Sequence, residues 1–255
     1  MKRRAVAPLV GIVLFFAAWE GFVRAFHVRK FVLRAPSGAL SYLWRFRGDY
    51  LDAAWVTVQH SMIGLLLALA IAIVVGSVLA SNRFVERATQ PILVLVQVVP
   101  WLAYVSTVVL WLDSGDASAL FMVTLVCLPA FVFATVDGMR NVESATLELM
   151  SSVDASRREV LYRVRLPSAA PTLFTTARFS VGLALAIAYY VEGVNLSNEG
   201  IGAIGRKAAA DFNGVDRLWA SVFSVAVIGI SALLLLSILE RTMLHWHAAQ
   251  RTEPR

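Results

Sequence analysis

Few residues in this sequence have the type and spacing for covalent chemistry. His60 and Ser61 are adjacent, which does not make a dyad, and His27, His245 and His247 lie at the ends of apolar runs. No His-Glu-x-x-His or Gly-x-Ser-x-Gly stretch occurs, and nothing resembles a phosphate-cradling Gly-x4-Gly-Lys-Ser/Thr loop. A membrane enzyme, such as a lipid-phosphate transferase or an intramembrane protease, is disfavoured, and no catalytic or metal-binding residue is assigned. The lone cysteine, Cys127, excludes an intramolecular disulfide and a multi-cysteine metal site and reads as a small apolar filler. What remains are polar and aromatic side chains set in apolar surroundings. An ionisable group near mid-membrane costs roughly 2.5–3.5 kcal/mol on insertion scales, so it faces a cavity or a partner. That ground applies to Glu192, and Pro100, Tyr104, Tyr189, Tyr190 and Asn195 are named with it as candidates for lining a translocation pathway. The aromatic members have packing as an alternative role, and Glu192 falls near the end of its apolar run, where the cost is small. Glu20 and Arg24 stand one helical turn apart, placed to pair or to snorkel. Arg178 suits either a headgroup anchor or a partner for a cytoplasmic carboxylate.

The elements that must position these residues follow from composition. Of 255 residues, 58% are hydrophobic and 16% charged, against roughly 45–50% and about 25% in soluble domains. The excess is gathered into runs long enough to span hydrocarbon. The formal net charge of +6 is spread between those runs rather than in a Lys/Arg stripe with interleaved aromatics, which disfavours nucleic-acid binding. Six spans are expected, at about 6–26, 56–80, 91–112, 117–136, 173–191 and 218–239. Lys2, Arg3 and Arg4 precede the first, whose apolar character continues to Phe26 without a clear small-x-small cleavage site, so a retained span starting in the cytoplasm is expected. Gly64 and Gly76 in the second span permit close helix packing. Pro100 and Pro129 are expected to interrupt the third and fourth, as in a bundle around a pathway. Residues 27–55 and 192–217 form long loops, the first with a short helix near Leu40–Trp44 along the outer face. With the N-terminus inside, thirteen Lys/Arg fall in cytoplasmic segments and nine outside, a modest preference for that topology. No internal repeat appears, so residues 1–255 are read as one domain.

The cytoplasmic segment 140–169 is no polar linker. Ala145, Leu147, Leu149, Met150, Val153, Val160, Leu161 and Val164 recur at roughly helical spacing, with Arg157, Arg158, Glu159, Arg163 and Arg165 between them. Asp154 and Ser156 are suited to break or cap between two short helices, and Leu166-Pro167 is expected to end the second. Pattern alone leaves open whether these helices lie on the membrane or dock a partner.

This segment resembles the coupling loop of permease subunits of bacterial ATP-binding-cassette importers. The motif there is Glu-Ala-Ala, three residues, Gly, nine residues, then Ile-x-Leu-Pro. Glu148 stands at the Glu position, Asp154 at the Gly, Val164 at the Ile, and Leu166-Pro167 at Leu-Pro, while Leu149 and Met150 replace the alanines. Asp is among the non-glycine residues best able to enter the left-handed region, so the turn survives the replacement. Trp19-Glu20 with Pro36-Ser37, Pro91, Val99-Pro100, Leu110-Trp111, Glu192, a Gly200-Ile201-Gly202 turn and Glu240-Arg241 with Trp246 are similar to the subfamily importing nitrate, sulfonates, taurine and thiamine precursors. The resemblance implies an all-α polytopic bundle of about six transmembrane helices, in the bacterial plasma (inner) membrane with both termini cytoplasmic. It implies a coupling helix between spans 4 and 5 and no cofactor of its own, ATP being bound by a partner. The partners it implies are cytoplasmic ATPase subunits, a second permease subunit, identical or divergent, and an extracytoplasmic substrate-binding protein. ATPase contact is assigned to Leu149, Ser152, Val153, Asp154, Ala155 and Arg158. Glu148 would hold the loop by capping or pairing with an arginine, and Leu166 and Pro167 would set its angle to the membrane. The alternative, a self-contained secondary transporter, would show paired repeats, which are absent.

Overall fold

The computed structural model describes residues 2–112, 116–195 and 199–244, and among these the chain forms helices only. In chain order they are α1 (Lys2–Ala25), α2 (Pro36–Arg45), α3 (Arg47–Ser81), α4 (Arg83–Val98), α5 (Trp101–Trp111), α6 (Asp116–Arg140), α7 (Ser144–Ser152), α8 (Arg157–Val160), α9 (Leu166–Val194), α10 (Gly200–Ala209) and α11 (Val215–Met243). A π-helical turn, Leu161–Arg165, joins α8 to α9.

α6 is the central helix, with 56% of its apolar window buried, and α11 is peripheral, with 11%. Met122, Val123, Cys127, Phe131 and Val132 are fully enclosed, between α3 on one side and α9 on the other. α3 presents Gly64, Ala68, Ala72 and Gly76, four residues apart and all buried, to α6. Small residues in that spacing let backbones approach where lipid offers no hydrophobic drive. The approach is close: a Cβ on Gly64 would lie 2.7 Å from the Val123 Cβ, and one on Gly76 2.6 Å from the Thr135 Cβ. The packing role expected of Gly64 and Gly76 is thus realised against a single partner helix.

The crossings follow from where helix ends meet. Arg140, at the end of α6, donates through Nη2 to the Leu79 carbonyl near the end of α3 (3.3 Å) and pairs with Glu86 of α4 (2.6 Å). The beginning of α6, Asp116, lies instead beside His60, 21 residues from the end of α3. That is about 30 Å at ~1.5 Å per residue, the thickness of the hydrocarbon layer. The chain must therefore cross between Arg83 and Trp111, and α4 and α5, bent by 94° at Val99-Pro100, form one broken span. α3, α6, α8–α9 and α11 are long and apolar enough to cross singly, and α1, at 24 residues, has spanning length. α1 packs antiparallel to α11, Phe16 against Phe223 and Trp19 against Trp219.

Several sequence expectations change. Pro129 does not interrupt its span: α6 runs unbroken through it, with the ring buried in the most tightly packed part of the bundle. Pro167 starts a helix rather than ending one. It sits in the first turn of α9, where the wider π turn before it makes room for a ring that would clash in a regular helix. The helix that holds the second span begins at Arg47, well before 56, and in its first turn Tyr50 is anchored by its hydroxyl to the Arg217 carbonyl (2.9 Å). Gly200-Ile201-Gly202 is the first turn of α10, not a free turn, and α10 is buried along Gly200–Ala203, Gly205 and Ala208. Within 27–55 the short helix is α2, starting at Pro36, and the Glu20 carboxylate sits at its N-terminus. It accepts from the Ser37 amide (3.0 Å) and hydroxyl (2.6 Å) while Arg24 Nε donates to it (2.7 Å). Glu20 thus pairs with Arg24 and ties α1 to α2.

Candidate functional site

Two sites at opposite ends of the bundle are built from the residues the sequence singles out. The first is the loop of α7 and α8. α7 ends at Val153, and Asp154 turns the chain in the left-handed region at φ 52°. A short polar side chain tolerates that backbone better than other non-glycine residues. α8 then opens with a capping box: the Glu159 amide donates to Ser156 Oγ (3.3 Å), and the Ser156 amide donates to Glu159 Oε2 (2.9 Å). The Ser156 amide, and then the Ser156 hydroxyl, which also donates to Glu159 Oε2 (2.9 Å), hold the Glu159 carboxyl below its ordinary range. The loop is carried by its own hydrogen bonds, yet Leu149 and Val153 are 65% and 64% exposed, and Ser152, Asp154 and Arg158 are exposed beside them. Ala155 is half-buried, and its amide donates to the Met150 carbonyl (3.0 Å). Glu148 does not hold the loop as expected. Its exposed side chain lies mid-helix in α7, and the capping carboxylate is Glu159, which follows a serine at capping-box spacing. Leu166 and Pro167 form the first turn of α9, where the loop enters the bundle.

The second site lies at the other end, where α3, α6, α9 and α10 meet around Glu192. This carboxylate, near the end of α9, is 2% exposed, so its place near the end of the run does not solvate it. It accepts from Thr57 Oγ1 (2.8 Å) and the Gly202 amide (3.0 Å) on Oε2, and meets His60 Nδ1 on Oε1 (2.9 Å). Thr57 Oγ1 accepts from the Ile201 amide (3.0 Å), and His60 Nε2 lies 3.0 Å from Asp116 Oδ1. Asn195 Nδ2 donates to Ser118 Oγ (3.3 Å), both side chains being buried. Gly200 stands at φ +84°, and any Cβ there would overlap the Glu192 carboxylate. The Glu192 and Asn195 side chains are therefore bound to neighbouring helices of this chain.

The other pathway candidates divide. Tyr189 and Tyr190, with Trp101, Ala186, Val222 and Val225, line a cleft of ≈ 360 Å³ between α5, α9 and α11. Trp101 and Tyr190 meet edge to face, with centroids 5.6 Å apart, and the Tyr189 hydroxyl is 3.1 Å from Ser221 Oγ. Pro100 caps α5 at the bend that delivers Trp101, whereas Tyr104 packs half-buried on the core. Arg178 resolves to a carboxylate partner, pairing with Glu240 of α11 (Nε–Oε2 3.1 Å). Thr57, Asp116 and Trp101 are not singled out in the sequence, and His60 is weighed there only as a partner for Ser61. Thr57 and His60, three apart on one face of α3, were the available signal, since two polar residues on one face of a span imply a shared partner.

Comparison with known proteins gives a consistent set of matches. Residues 68–245 match the family model described as binding-protein-dependent transport system inner membrane component. The formylaminopyrimidine transport permease protein ThiX of Halalkalibacterium halodurans is 30% identical over 194 residues, 76% of this chain and 77% of that protein. The taurine transport system permease protein TauC of Escherichia coli is 24% identical over 97% of this chain and 92% of its own length. Among solved structures, an inward-facing conformation of the MetNI methionine ABC transporter superposes with a TM-score of 0.63. It covers 79% of this chain and 97% of the matched chain at 15% identity, a likeness of fold.

Proposed function

The chain belongs to the family of binding-protein-dependent transport system inner-membrane components and is a permease subunit of an ABC importer for a small solute, and from that premise we propose how it is driven. The α7–α8 loop docks a separate cytoplasmic ATPase. Leu149, Ser152, Val153, Asp154, Ala155 and Arg158 form the contact, and Leu166 and Pro167 fix the angle of the loop to α9. ATP is bound by that partner, and this chain performs no hydrolysis. A second permease subunit completes the pathway, and an extracytoplasmic binding protein delivers the solute. Both chain ends then lie in the cytoplasm, on the side of the α7–α8 loop. The observation that carries this reading is the pair of exposed apolar side chains, Leu149 and Val153, on a loop made rigid by its own capping box. A segment that merely rested on lipid would not need that internal order.

During transport, closure of the ATPases would displace the loop, and α9, continuous with it through the π turn, would carry the movement to the opposite end of the bundle. Binding to one of two arrangements of the helices drives transport only if the partners differ in affinity for them. The aromatic cleft at Trp101, Tyr189 and Tyr190 faces the proposed pathway. A small organic solute, of the kind named for the formylaminopyrimidine and taurine permeases, is the proposed cargo.

The test is recovery of partners with tagged chain from detergent-solubilised membranes, identified by mass spectrometry. An ATPase chain should co-purify. Asp154→Val forces a β-branched residue into a left-handed turn at a cost of about 1–2 kcal/mol and should reduce both the recovery and the ATP hydrolysis of the complex. Full hydrolysis by an Asp154→Val complex would overturn the docking assignment.

A further inference from the structure

The cluster around His60 contains more carboxylate than one neutral ring can serve. Nδ1 is 2.9 Å from Glu192 Oε1 and Nε2 is 3.0 Å from Asp116 Oδ1. A neutral imidazole carries a single N–H, and its other nitrogen is a lone pair that a carboxylate oxygen repels. Two short contacts to carboxyl groups therefore require one proton beyond the single N–H of the neutral ring, and with Glu192 already accepting from Thr57 and Gly202 and Asp116 open to water, both carboxyls stay ionised and that proton sits on the ring as an imidazolium. The remaining neighbours do not alter that count. Glu192 already receives the Thr57 hydroxyl and the Gly202 amide, and Thr57 receives the Ile201 amide. The charged groups acting on the ring are Glu192 from α9 and Asp116 from α6. Among the described residues, α10 contributes the Ile201 and Gly202 amides there.

We propose that His60 is a positioning residue for transport: as an imidazolium it latches α3 to α9 and to the start of α6 at the end of the bundle opposite the coupling loop, and loss of its proton opens the link to α6. The two links are unequal. The Glu192 side chain is 1% exposed, sealed by its other donors, and keeps Nδ1–H. The Asp116 side chain is 71% exposed, so water takes over its solvation once Nε2 has no hydrogen. Deprotonation thus releases the first turn of α6 and leaves α3, α9 and α10 joined. The bearing on transport rests on the importer reading; the proton count does not.

The test uses the full chain in lipid nanodiscs. Nitrogen NMR of labelled histidine, with the His60 resonance assigned by its loss in His60→Gln, should show an imidazolium at the low end of a pH titration and one neutral tautomer at its high end. Hydrogen exchange in the first two turns of α6, corrected for the intrinsic pH dependence of exchange, should be about fivefold faster at the higher pH, the size expected for an ion pair with one exposed partner. Asp116→Asn should abolish that difference, because an amide at this position donates to the neutral Nε2 at either pH. A neutral His60 ring at the lower pH, equal exchange at the two pH values, or a pH difference that persists in Asp116→Asn would each overturn the latch. Neither readout uses ATP, an ATPase or a solute, so failure here is separate from failure of the importer reading, which co-purification tests.

Discussion

Thr57 serves two helices with one hydroxyl. It donates to Glu192 on α9 and accepts from the Ile201 amide on α10, with the whole side chain buried. Thr57→Val keeps the shape and removes both bonds, leaving a buried amide without a partner and a buried carboxylate with one donor fewer. The expected loss is about 1–3 kcal/mol, seen as a lower thermal midpoint in detergent, with Thr57→Ser close to the parent. An unchanged midpoint for Thr57→Val would show that the hydroxyl is dispensable. This residue also marks the limit of what was legible in the sequence. Glu192 stood out because charge is rare in an apolar run. Its partners lie 135 and 132 residues earlier, and no local pattern announces contacts at that range. His60, judged by its neighbour Ser61, concealed its connection to two carboxylates.

Helices were legible where one face had a single job. The four-residue spacing of Gly64, Ala68, Ala72 and Gly76 gives a seam, and the seam meets α6. Gly76→Val would drive a branched side chain into Thr135, whose Cβ lies 2.6 Å from the added carbon. Overpacking of this kind costs about 1–3 kcal/mol, expected as a lower thermal midpoint and looser α3–α6 packing by hydrogen exchange. The same change at Gly182, which has nothing within 4 Å, should be tolerated. Prolines were less legible, because a missing donor says nothing about what compensates for it: packing absorbs Pro129 and the π turn absorbs Pro167. In the α7–α8 loop, the capping box supplies a pH dependence with a definite sign. The Glu159 carboxyl is lowered on folding, so its contribution is complete above the unfolded value of about 4.3 and disappears as pH falls through the folded value. Glu159→Gln, which removes the charge and leaves the Ser156 hydroxyl to cap the helix, should speed hydrogen exchange in α8 at neutral pH. The difference from the parent chain should vanish in acid, where the parent carboxyl is protonated, and a difference that persisted there would exclude the carboxylate charge as its source.

At the scale of the whole molecule, one helix joins the two sites. From Arg157 to Val194 the chain is helical for 38 residues, on the order of 55 Å, with the exposed loop at one end and the Glu192 cluster at the other. A straight rod would transmit rotation as readily as displacement. The π turn at Leu161–Arg165 is the single irregularity along this stretch, and it sets the direction in which Leu149 and Val153 face relative to the bundle. Inserting one alanine between Val160 and Leu161, just ahead of a π turn that already holds its extra residue, would rotate everything before it by about 100°, one residue's share of a turn. The bundle, which begins its packing at Val164 and Ala169, should remain folded, with a thermal midpoint near that of the parent. The loop would then present another face to its ATPase, and ATP hydrolysis by the complex should lose its dependence on the permease. If the insertion variant kept full hydrolysis at an unchanged midpoint, the loop would tolerate a change of facing. A rigid helical connection between the two ends of the bundle would then not be the route by which they communicate.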